Sequence, residues 1–189
     1  MSTISSDDPT PRIAERVHEE RRQRDWSLDD LAKRARVSKA MLSKLERGES
    51  SPTAALLGRI CGAFGITMSS LLISADEQSG RLTRRAEQPI WRDPQSQYVR
   101  RHVSPRSDLP IELVEVELPP KAQVTFPASA YARIRQVVWV LEGRLEFVEG
   151  AVIHRLEIGD CLELGTPTSC VFRNPGRSVC RYLVVVVAR

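Results

Sequence analysis

The stretch from Ser27 to Pro52 constrains the fold of this chain more than any other part of it. It contains two short helical patterns separated by a tight turn. Each pattern opens on a serine, Ser27 or Ser38, of the kind that caps a helix by accepting a backbone N–H bond. Gly48 follows the second pattern, where a glycine commonly ends a helix. The sequence therefore predicts two capped helices in close succession.

Apolar periodicity predicts three more helices around this pair. A long one begins at Arg12 and ends near Asp25, one opens at Pro52 and ends at Gly65, and Thr67 caps a last short one. Together they predict a compact five-helix domain over residues 12–73, preceded by a disordered arm at residues 1–11. The residues expected to face its core include Leu31, Ala35, Met41, Leu42, Leu45, Leu57, Ile60 and Phe64.

The second half of the chain has a different periodicity. Residues 74–95 show no convincing period and are predicted to be a linker. From residue 96 onward, "IELVEVELPP" alternates apolar and acidic residues with a period of two, and short apolar runs follow, separated by turns at Gly143, Gly150 and Gly159. Short strands at this spacing predict a β-sandwich or barrel over residues 96–189.

Composition and charge exclude some classes of protein. The formal net charge is +4, and residues 79–106 hold seven arginines against two acids, so this segment is either a phosphate contact or a solvated linker. No apolar h-region opens the chain, and no apolar run reaches membrane-spanning length. The four cysteines have no CxxC spacing, which favours reduced thiols. These features predict a cytoplasmic protein, in a bacterium, that does not enter a membrane.

The stretch "LDDLAKRARVSKAMLSKLERGESSPTAALLGRICGAFGI" resembles the phage-repressor type of helix-turn-helix domain, the XRE or Cro family. The resemblance covers residues 12–72 and implies that residues 38–47 form a recognition helix in the major groove of DNA. It implies contacts for seven residues: at base edges Lys39, Ala40, Ser43 and Lys44, and at phosphates Ser27, Ser38 and Arg47. Glu46 is expected to pair within the domain instead. The alternative is a helical protein-interaction domain with a charged face.

Two later stretches, "VVWVLEGRLEF" and "GDCLELGTPTSCVFRN", resemble the two motifs of the cupin family, a small double-sheet jelly roll. The family's metal ligands are histidines and a glutamate. Their positions here carry Ser129, Tyr131, Gln136 and Cys170, which do not supply that donor set. No metal, cofactor or catalytic residue is therefore expected. With a valine on the same strand face, these residues are predicted to form a ligand-binding ring: Ser129, Tyr131, Gln136, Val138 and Cys170.

The combination predicts an α + β two-domain protein, a helix-turn-helix reader joined to a cupin. The expected function is sequence-specific transcriptional regulation, as a repressor, by a homodimer that binds a double-stranded DNA operator and senses a small-molecule effector. A cupin that is filled and only dimerises is an alternative for the second domain. Two further alternatives are a metal-dependent cupin enzyme with an accessory DNA-binding domain, and a redox-sensing regulator that uses Cys161, Cys170 and Cys180.

Overall fold

Five helices precede a two-sheet β structure in the computed structural model, which describes residues 9–72, 80–105, 107 and 109–188. None of the helices in these ranges is both long enough and apolar enough to cross a lipid bilayer. The helices are α1 (Thr10–Arg22), α2 (Leu28–Ala35), α3 (Lys39–Glu46), α4 (Ala54–Phe64) and α5 (Met68–Leu72). The strands are β1 (Ile90–Arg92), β2 (Val99–His102), β3 (Ile111–Leu118), β4 (Gln123–Phe126), β5 (Ile134–Glu142), β6 (Leu145–Glu149), β7 (Val152–Leu156), β8 (Cys161–Glu163), β9 (Cys170–Arg173) and β10 (Cys180–Ala188).

Side-chain caps set the start of each short helix. The hydroxyl of Ser27 accepts a hydrogen bond from the Asp30 N–H at 3.1 Å, and the carboxylate of Asp30 accepts the Ser27 N–H at 2.9 Å. Ser38 caps α3 by accepting the Met41 N–H at 3.2 Å. These reciprocal bonds satisfy N–H groups that have no partner inside a helix. The predicted capping roles of both serines are confirmed.

Two predicted helix starts differ from the structure. Helix α1 begins at Thr10, two residues before the predicted start, and includes Pro11 in its first turn. Proline fits there because the first-turn N–H groups are unpaired in any helix. Residues 1–8 of the predicted arm lie outside the described residues. Helix α4 starts at Ala54 and not at Pro52, because the hydroxyl of Thr53 accepts the Leu56 N–H at 3.3 Å and caps the helix one residue later.

The core of the helical region is formed by apolar residues at helical spacing, including Ile13, Val17, Leu31, Leu42, Leu45, Leu57 and Ile60, each at most 1% exposed. Met41 does not belong to it. Its side chain is 46% exposed, so the prediction that it faces inward is wrong. Helix α3 is only eight residues long, and Leu42 and Leu45 alone define its buried stripe. Met41 therefore lies on the outer surface.

Glu46 joins α3 to α1. Its carboxylate accepts hydrogen bonds from Nε and Nη2 of Arg21, both at 2.7 Å, and lies 2.8 Å from Nδ1 of His18. Burial opposes ionisation of Glu46, but the hydrogen bonds with Arg21 and His18 outweigh it and lower the pKa of the carboxyl below its ordinary value. The prediction that Glu46 pairs within the domain is confirmed.

The strands form two antiparallel sheets that pack face to face. One has six strands in the order β1-β2-β3-β10-β5-β8, and the other has four in the order β4-β9-β6-β7. Along β3, Val114, Val116 and Leu118 are buried while the residues between them are half-buried, as the period of two predicts. Phe172 of one sheet stacks on Tyr182 of the other, with ring centroids 5.8 Å apart. The predicted α + β fold class, with a cupin jelly roll after the helices, is confirmed.

The sheet starts earlier than the sequence suggests. Strand β1, Ile90–Arg92, lies inside the segment predicted to be a linker, and it pairs with β2. Trp91 is its one buried residue, at 4% exposure. A three-residue strand with a single buried side chain shows no visible period, which is why the pattern did not reveal it. Residues 73–79, which hold the start of the predicted linker, lie outside the described residues.

Helix α4 docks directly on the β structure. Asp93, which follows β1 and is 3% exposed, accepts the Ala54 N–H at 2.9 Å and so supplies a second cap at the start of α4. Two glycines of the helix, Gly58 and Gly62, face the side chain of Phe126 and the backbone of Ser129. The buried apolar residues of both regions form one continuous core. The helices and the barrel are therefore packed together as one unit.

Replacing Glu46 with glutamine is expected to lower the free energy of unfolding by about 2–4 kcal/mol at pH 7, because Arg21 stays buried without its counter-charge. The folded-state pKa of Glu46 is depressed. The stabilisation is therefore present above the unfolded carboxyl pKa of about 4.3 and is lost as the pH falls through the folded value. Urea unfolding followed by circular dichroism from pH 8 down to about pH 2 measures both effects, because the loss occurs below the unfolded pKa.

The matched control is Glu19→Gln, because Glu19 pairs with Arg16 at 3.4 Å on the surface and its side chain is 46% exposed. It is expected to change the free energy of unfolding by less than about 0.5 kcal/mol. Equal losses in the two variants, or a loss in E46Q that does not shrink in acid, would contradict the assignment of Glu46 as a buried anchor.

Replacing Gly62 with alanine is expected to destabilise the protein by about 1–3 kcal/mol. A Cβ at this position would lie 2.7 Å from the carbonyl oxygen of Ser129, a backbone atom that cannot move freely. Helix propensity alone predicts the opposite sign, a gain of about 1 kcal/mol. The melting temperature of the variant, measured by thermal unfolding, shows whether the steric clash or the helix propensity is the larger effect. Gly58→Ala should cost less, since its Cβ would meet the ring of Phe126 and not backbone.

Candidate nucleic-acid interface and interdomain cavity

Helix α3 presents an outer face of small and basic side chains. Leu42 and Leu45 are fully buried, whereas Lys39, Ala40 and Lys44 are exposed. Residues four apart lie above one another on a helix, so Ala40 and Lys44 share one row. The face is convex and free of bulky side chains apart from Met41. This is the shape that a helix needs in order to enter a groove about 12 Å wide.

The two serines predicted to contact phosphate already use their hydroxyls. Ser27 accepts from the Asp30 N–H and donates to the Asp30 carboxylate at 2.6 Å. Ser38 accepts from the Met41 N–H. Both residues are exposed at helix N-termini, where the backbone N–H groups and the helix dipole favour an anion. Their contact with phosphate stays a prediction, and the caps give them a structural role as well.

Two of the basic residues are paired with acids on the same surface. Lys39 Nζ lies 2.8 Å from Oδ2 of Asp29 on α2. Arg47 donates from Nε to Oε1 of Glu49 at 2.6 Å and also bonds the hydroxyl of Ser43. All of these ionic partners are at least half exposed, so water and salt screen the pairs. A phosphate would have to displace the acid from each.

Lys44 differs from the other basic residues of this face. Its side chain is exposed and makes no hydrogen bond or ion pair with any residue in the described ranges, although its charge acts on nearby Glu49. Its ammonium is therefore available without breaking a bond. Among the seven predicted DNA contacts, the structure singles out Lys44 as the charge that is ready to meet a ligand.

A cavity lies between the helices and the interior of the jelly roll. The free space between its lining atoms measures about 530 Å³ together with its open mouth. From the helices it is lined by Gly58, Cys61, Thr67 and Met68. From the β structure its main lining residues are Tyr98, Arg100, Phe126, Tyr131, Gln136, Phe172 and Tyr182. That volume includes solvent at the mouth, so the enclosed part of the cavity is smaller.

The predicted ligand ring is only partly assembled at this cavity. Tyr131 and Gln136 line it, but Ser129, Val138 and Cys170 do not. The backbone of Ser129 is packed against Gly62 of α4, and Val138 is fully buried further along β5. Cys170 is 2% exposed behind Tyr131, with its thiol donating to the Tyr131 hydroxyl at 3.1 Å. Because α4 closes the mouth of the barrel, the open space is displaced toward β2.

Tyr98 and Arg100, at the start of β2, line the cavity and were not among the predicted ligand residues. Tyr98, Arg100 and His102 are all buried, and they alternate with half-buried residues along the strand. The stretch "YVRRH" carries the period of two that signals a strand, but its inward residues are polar, so an apolar pattern does not detect it. The signal that the sequence does contain is a tyrosine, an arginine and a histidine spaced two residues apart, which places all three on one face of a strand.

Burial controls the chemistry of the ionisable groups here. It raises the pKa of Cys61 to about 12 and those of Cys170 and Cys180 to about 11, and it raises the tyrosine pKa values of Tyr131 and Tyr182 above their ordinary range. At neutral pH these three thiols are therefore protonated and poor nucleophiles. Within the described ranges, no three histidine, cysteine or acidic side chains are grouped closely enough to hold a metal ion.

The three cysteines of the redox alternative do not lie on neighbouring strands. Cys170 is in the four-stranded sheet beside Phe126 and Glu149. Cys161 and Cys180 are in the other sheet, on strands that β5 separates. The expectation that they could pair across adjacent strands is wrong, because the chain crosses between sheets at each of the intervening turns.

Comparisons with known proteins agree with these two parts. The helix-turn-helix family HTH_3 matches residues 17–71. The transcriptional regulator SutR of Escherichia coli K12 is 29% identical over 164 residues, which is 86% of this chain and 86% of SutR. ClgR of Mycobacterium tuberculosis H37Rv, also a transcriptional regulator, is 40% identical over 60 residues, which is 32% of this chain and 54% of ClgR.

A solved structure shares the fold along almost the whole chain. An HTH_3 family transcriptional regulator from Vibrio cholerae superposes with a TM-score of 0.79 at 24% sequence identity, covering 95% of this chain and 97% of the other. Residues 17–71 are therefore an XRE-type helix-turn-helix domain, followed by a cupin-fold domain, and along most of its length the chain is similar to proteins named transcriptional regulators.

Proposed function

We propose that this regulator binds a two-fold-symmetric DNA operator as a homodimer, and that a small metabolite bound in its cavity changes the placement of the reading helices. The observation that carries the proposal is the position of the cavity, which is walled by α4 and α5 on one side and by the jelly roll on the other. A ligand there touches both domains. If the domains have two relative placements, ligand binding shifts the equilibrium between them. The size of the shift is set by the difference in ligand affinity for the two placements.

The exposed face of α3 supports the proposed reading role. In this arrangement Lys44 donates to a guanine edge, Ala40 contacts an apolar group such as a thymine methyl, and the N-termini of α2 and α3 lie against phosphates. A helix of eight residues reads only a few base pairs. Two copies, about 34 Å apart in successive major grooves, are needed to specify an operator.

An apolar sheet face supports the proposed dimer. On the outer face of the six-stranded sheet, Val137, Leu183 and Val185 are half-buried, and Trp139 is 45% exposed directly opposite Leu183. Exposed apolar patches of this kind mark contact surfaces on proteins. A second copy seated on this face buries the tryptophan in a symmetric interface.

The proposal also includes repression, a role without catalysis and a bacterial cytoplasm. Repression rests on the XRE resemblance alone. A role without catalysis is favoured by the protonated thiols and by the regulators that match along the chain. A bacterial cytoplasm follows from the proposed partner, because the protein must share a compartment with the DNA that it reads.

Selection from a pool of random DNA duplexes, with the full chain and no added ligand, is expected to yield a palindromic sequence with half-sites one helical turn apart. Footprinting should then show two protected major-groove segments. Recovery of unrelated sequences, or protection of a single half-site, would contradict the proposed dimeric reading.

Lys44→Ala is expected to weaken binding to the selected duplex by about 1–3 kcal/mol and to relax its base preference at one position, because a base-edge donor is lost. Fluorescence anisotropy on the selected and a scrambled duplex measures the ratio of affinities. Arg144→Ala removes one charge from a distant turn, where the side chain is 72% exposed, and serves as control. An unchanged ratio in K44A would place Lys44 outside the groove.

Trp139→Glu is expected to convert the dimer into a monomer, because a carboxylate would be buried without a partner in a symmetric apolar contact. Sedimentation velocity at about 20 µM measures this directly, and operator affinity should fall at least tenfold. Val152→Glu is the matched control, since Val152 is 54% exposed on β7 of the other sheet and should leave the dimer intact. A monomeric wild type, or a dimeric W139E, would refute this interface.

A further inference from the structure

We infer that the effector is a small organic monocarboxylate whose carboxylate pairs with Arg100 at the seam between the two domains. The inference rests on the proposed sensing function and adds the chemical class of the ligand, the residue that selects it and the helix that responds to it. The first observation is that Arg100 is a buried cation with no ion pair to any carboxylate in the described ranges.

Arg100 lies on the interior face of β2 and is 8% exposed. The only hydrogen bond of its guanidinium to a described residue is from Nη2 to the hydroxyl of Ser69 at 2.9 Å, and no carboxylate in the described ranges lies within ion-pair distance. A guanidinium has five N–H donors, and burying one without an acid is costly. The neighbouring Arg101 shows the ordinary solution, since its Nε lies 3.6 Å from Glu115 on the outer face.

Glu112, an acid on the interior face of β3, is hydrogen-bonded to a different residue. Glu112 accepts a hydrogen bond from the hydroxyl of Thr67 at 2.7 Å through Oε1, and its Oε2 is buried without a partner. The charges of Glu112 and Arg100 both act on His102, so the two groups lie in one region. A second carboxylate on a ligand would be repelled there by Glu112. The arrangement therefore favours one negative charge over two.

Three further polar side chains of the cavity have no side-chain hydrogen bond to another described residue. Tyr98, Tyr182 and Gln136 line it, and their side-chain polar groups make no hydrogen bond to another described residue. Around them the walls are apolar, with Met68, Phe126 and Ile134. A fitting molecule has a carboxylate head, an apolar body and room for one further polar group.

The same arginine provides a route to the reading domain. Ser69, whose hydroxyl is the one hydrogen-bond partner of the Arg100 guanidinium among the described residues, lies on α5 and is 1% exposed, and Met68 and Thr67 beside it also line the cavity. A carboxylate that pairs with Arg100 competes with the Ser69 hydroxyl for its N–H donors. Binding therefore weakens the hydrogen bond that joins β2 to α5. Helix α5 in turn packs against α4 and α1.

The test compares acids with their uncharged amides on the full-length wild-type protein. Isothermal titration calorimetry and thermal shift are run with straight-chain monocarboxylates of three to eight carbons, with apolar α-amino acids and with dicarboxylates of the same lengths. We expect at least one monocarboxylate to bind with a Kd below 1 mM, and its primary amide and the matching dicarboxylate to bind at least tenfold more weakly.

Arg100→Gln keeps a donor for Ser69 but removes the charge, and it should weaken binding of the acid at least tenfold. Arg101→Gln removes the adjacent arginine from the outer face and should leave the affinity unchanged. If R100Q does not fold by circular dichroism, the acid and amide comparison on the wild type decides alone. Equal binding of acid and amide, binding that survives in R100Q, or a panel in which no monocarboxylate binds would each overturn the inference.

Titration of the selected DNA duplex separates this result from the proposed function. With a bound acid present, operator affinity should change at least threefold in either direction. If the protein binds its operator but no acid, the ligand assignment fails and the DNA-binding proposal stands. If an acid binds through Arg100 but leaves operator affinity unchanged, the sensing proposal fails and the ligand site stands.

Discussion

The docking of α4 on the mouth of the jelly roll is the contact on which the rest of this structure depends. Asp93 is almost completely buried, and its carboxylate is satisfied by the Ala54 N–H and by the backbone and hydroxyl of Ser96. An anion at a helix N-terminus is also favoured by the helix dipole. Separating the domains would leave this charge without the Ala54 bond, and it would expose the glycine face of α4 and the ring of Phe126. The helices are thereby held as a lid on the barrel.

This arrangement leaves two candidate binding surfaces, the outer face of α3 and the cavity between the domains. The outer face of α3 is exposed, and its basic residues Lys39 and Arg47 are partly neutralised by Asp29 and Glu49, so phosphate contact involves exchange of one ionic partner for another. Such exchange makes binding sensitive to salt. The cavity lies between the two domains, and among the described residues a neutral hydroxyl is the one side chain that bonds the Arg100 guanidinium there. One surface suits a large polyanion, and the other suits a single small anion.

Local features of the sequence predicted local features of the structure well. The caps at Ser27 and Ser38 and the anchor at Glu46 depend on residues at short spacing or in a recognised motif, and all three are confirmed. Met41 was misplaced because an eight-residue helix offers too few positions to define its buried side by period alone. The ligand ring was placed by analogy with a barrel open at its mouth, and here α4 closes that mouth against Ser129.

The sequence by itself determined the order of the parts: capped short helices with a basic outer face, followed by strands with a period of two. Those properties are encoded in neighbouring residues, since caps, periods and turns act over a few positions. Only the tertiary structure decided that Arg100 and Ser69, 31 residues apart, meet across the domain seam and that the cavity lies there. That meeting results from the packing of α4 and α5 on a sheet assembled from distant strands, and no local pattern carries it.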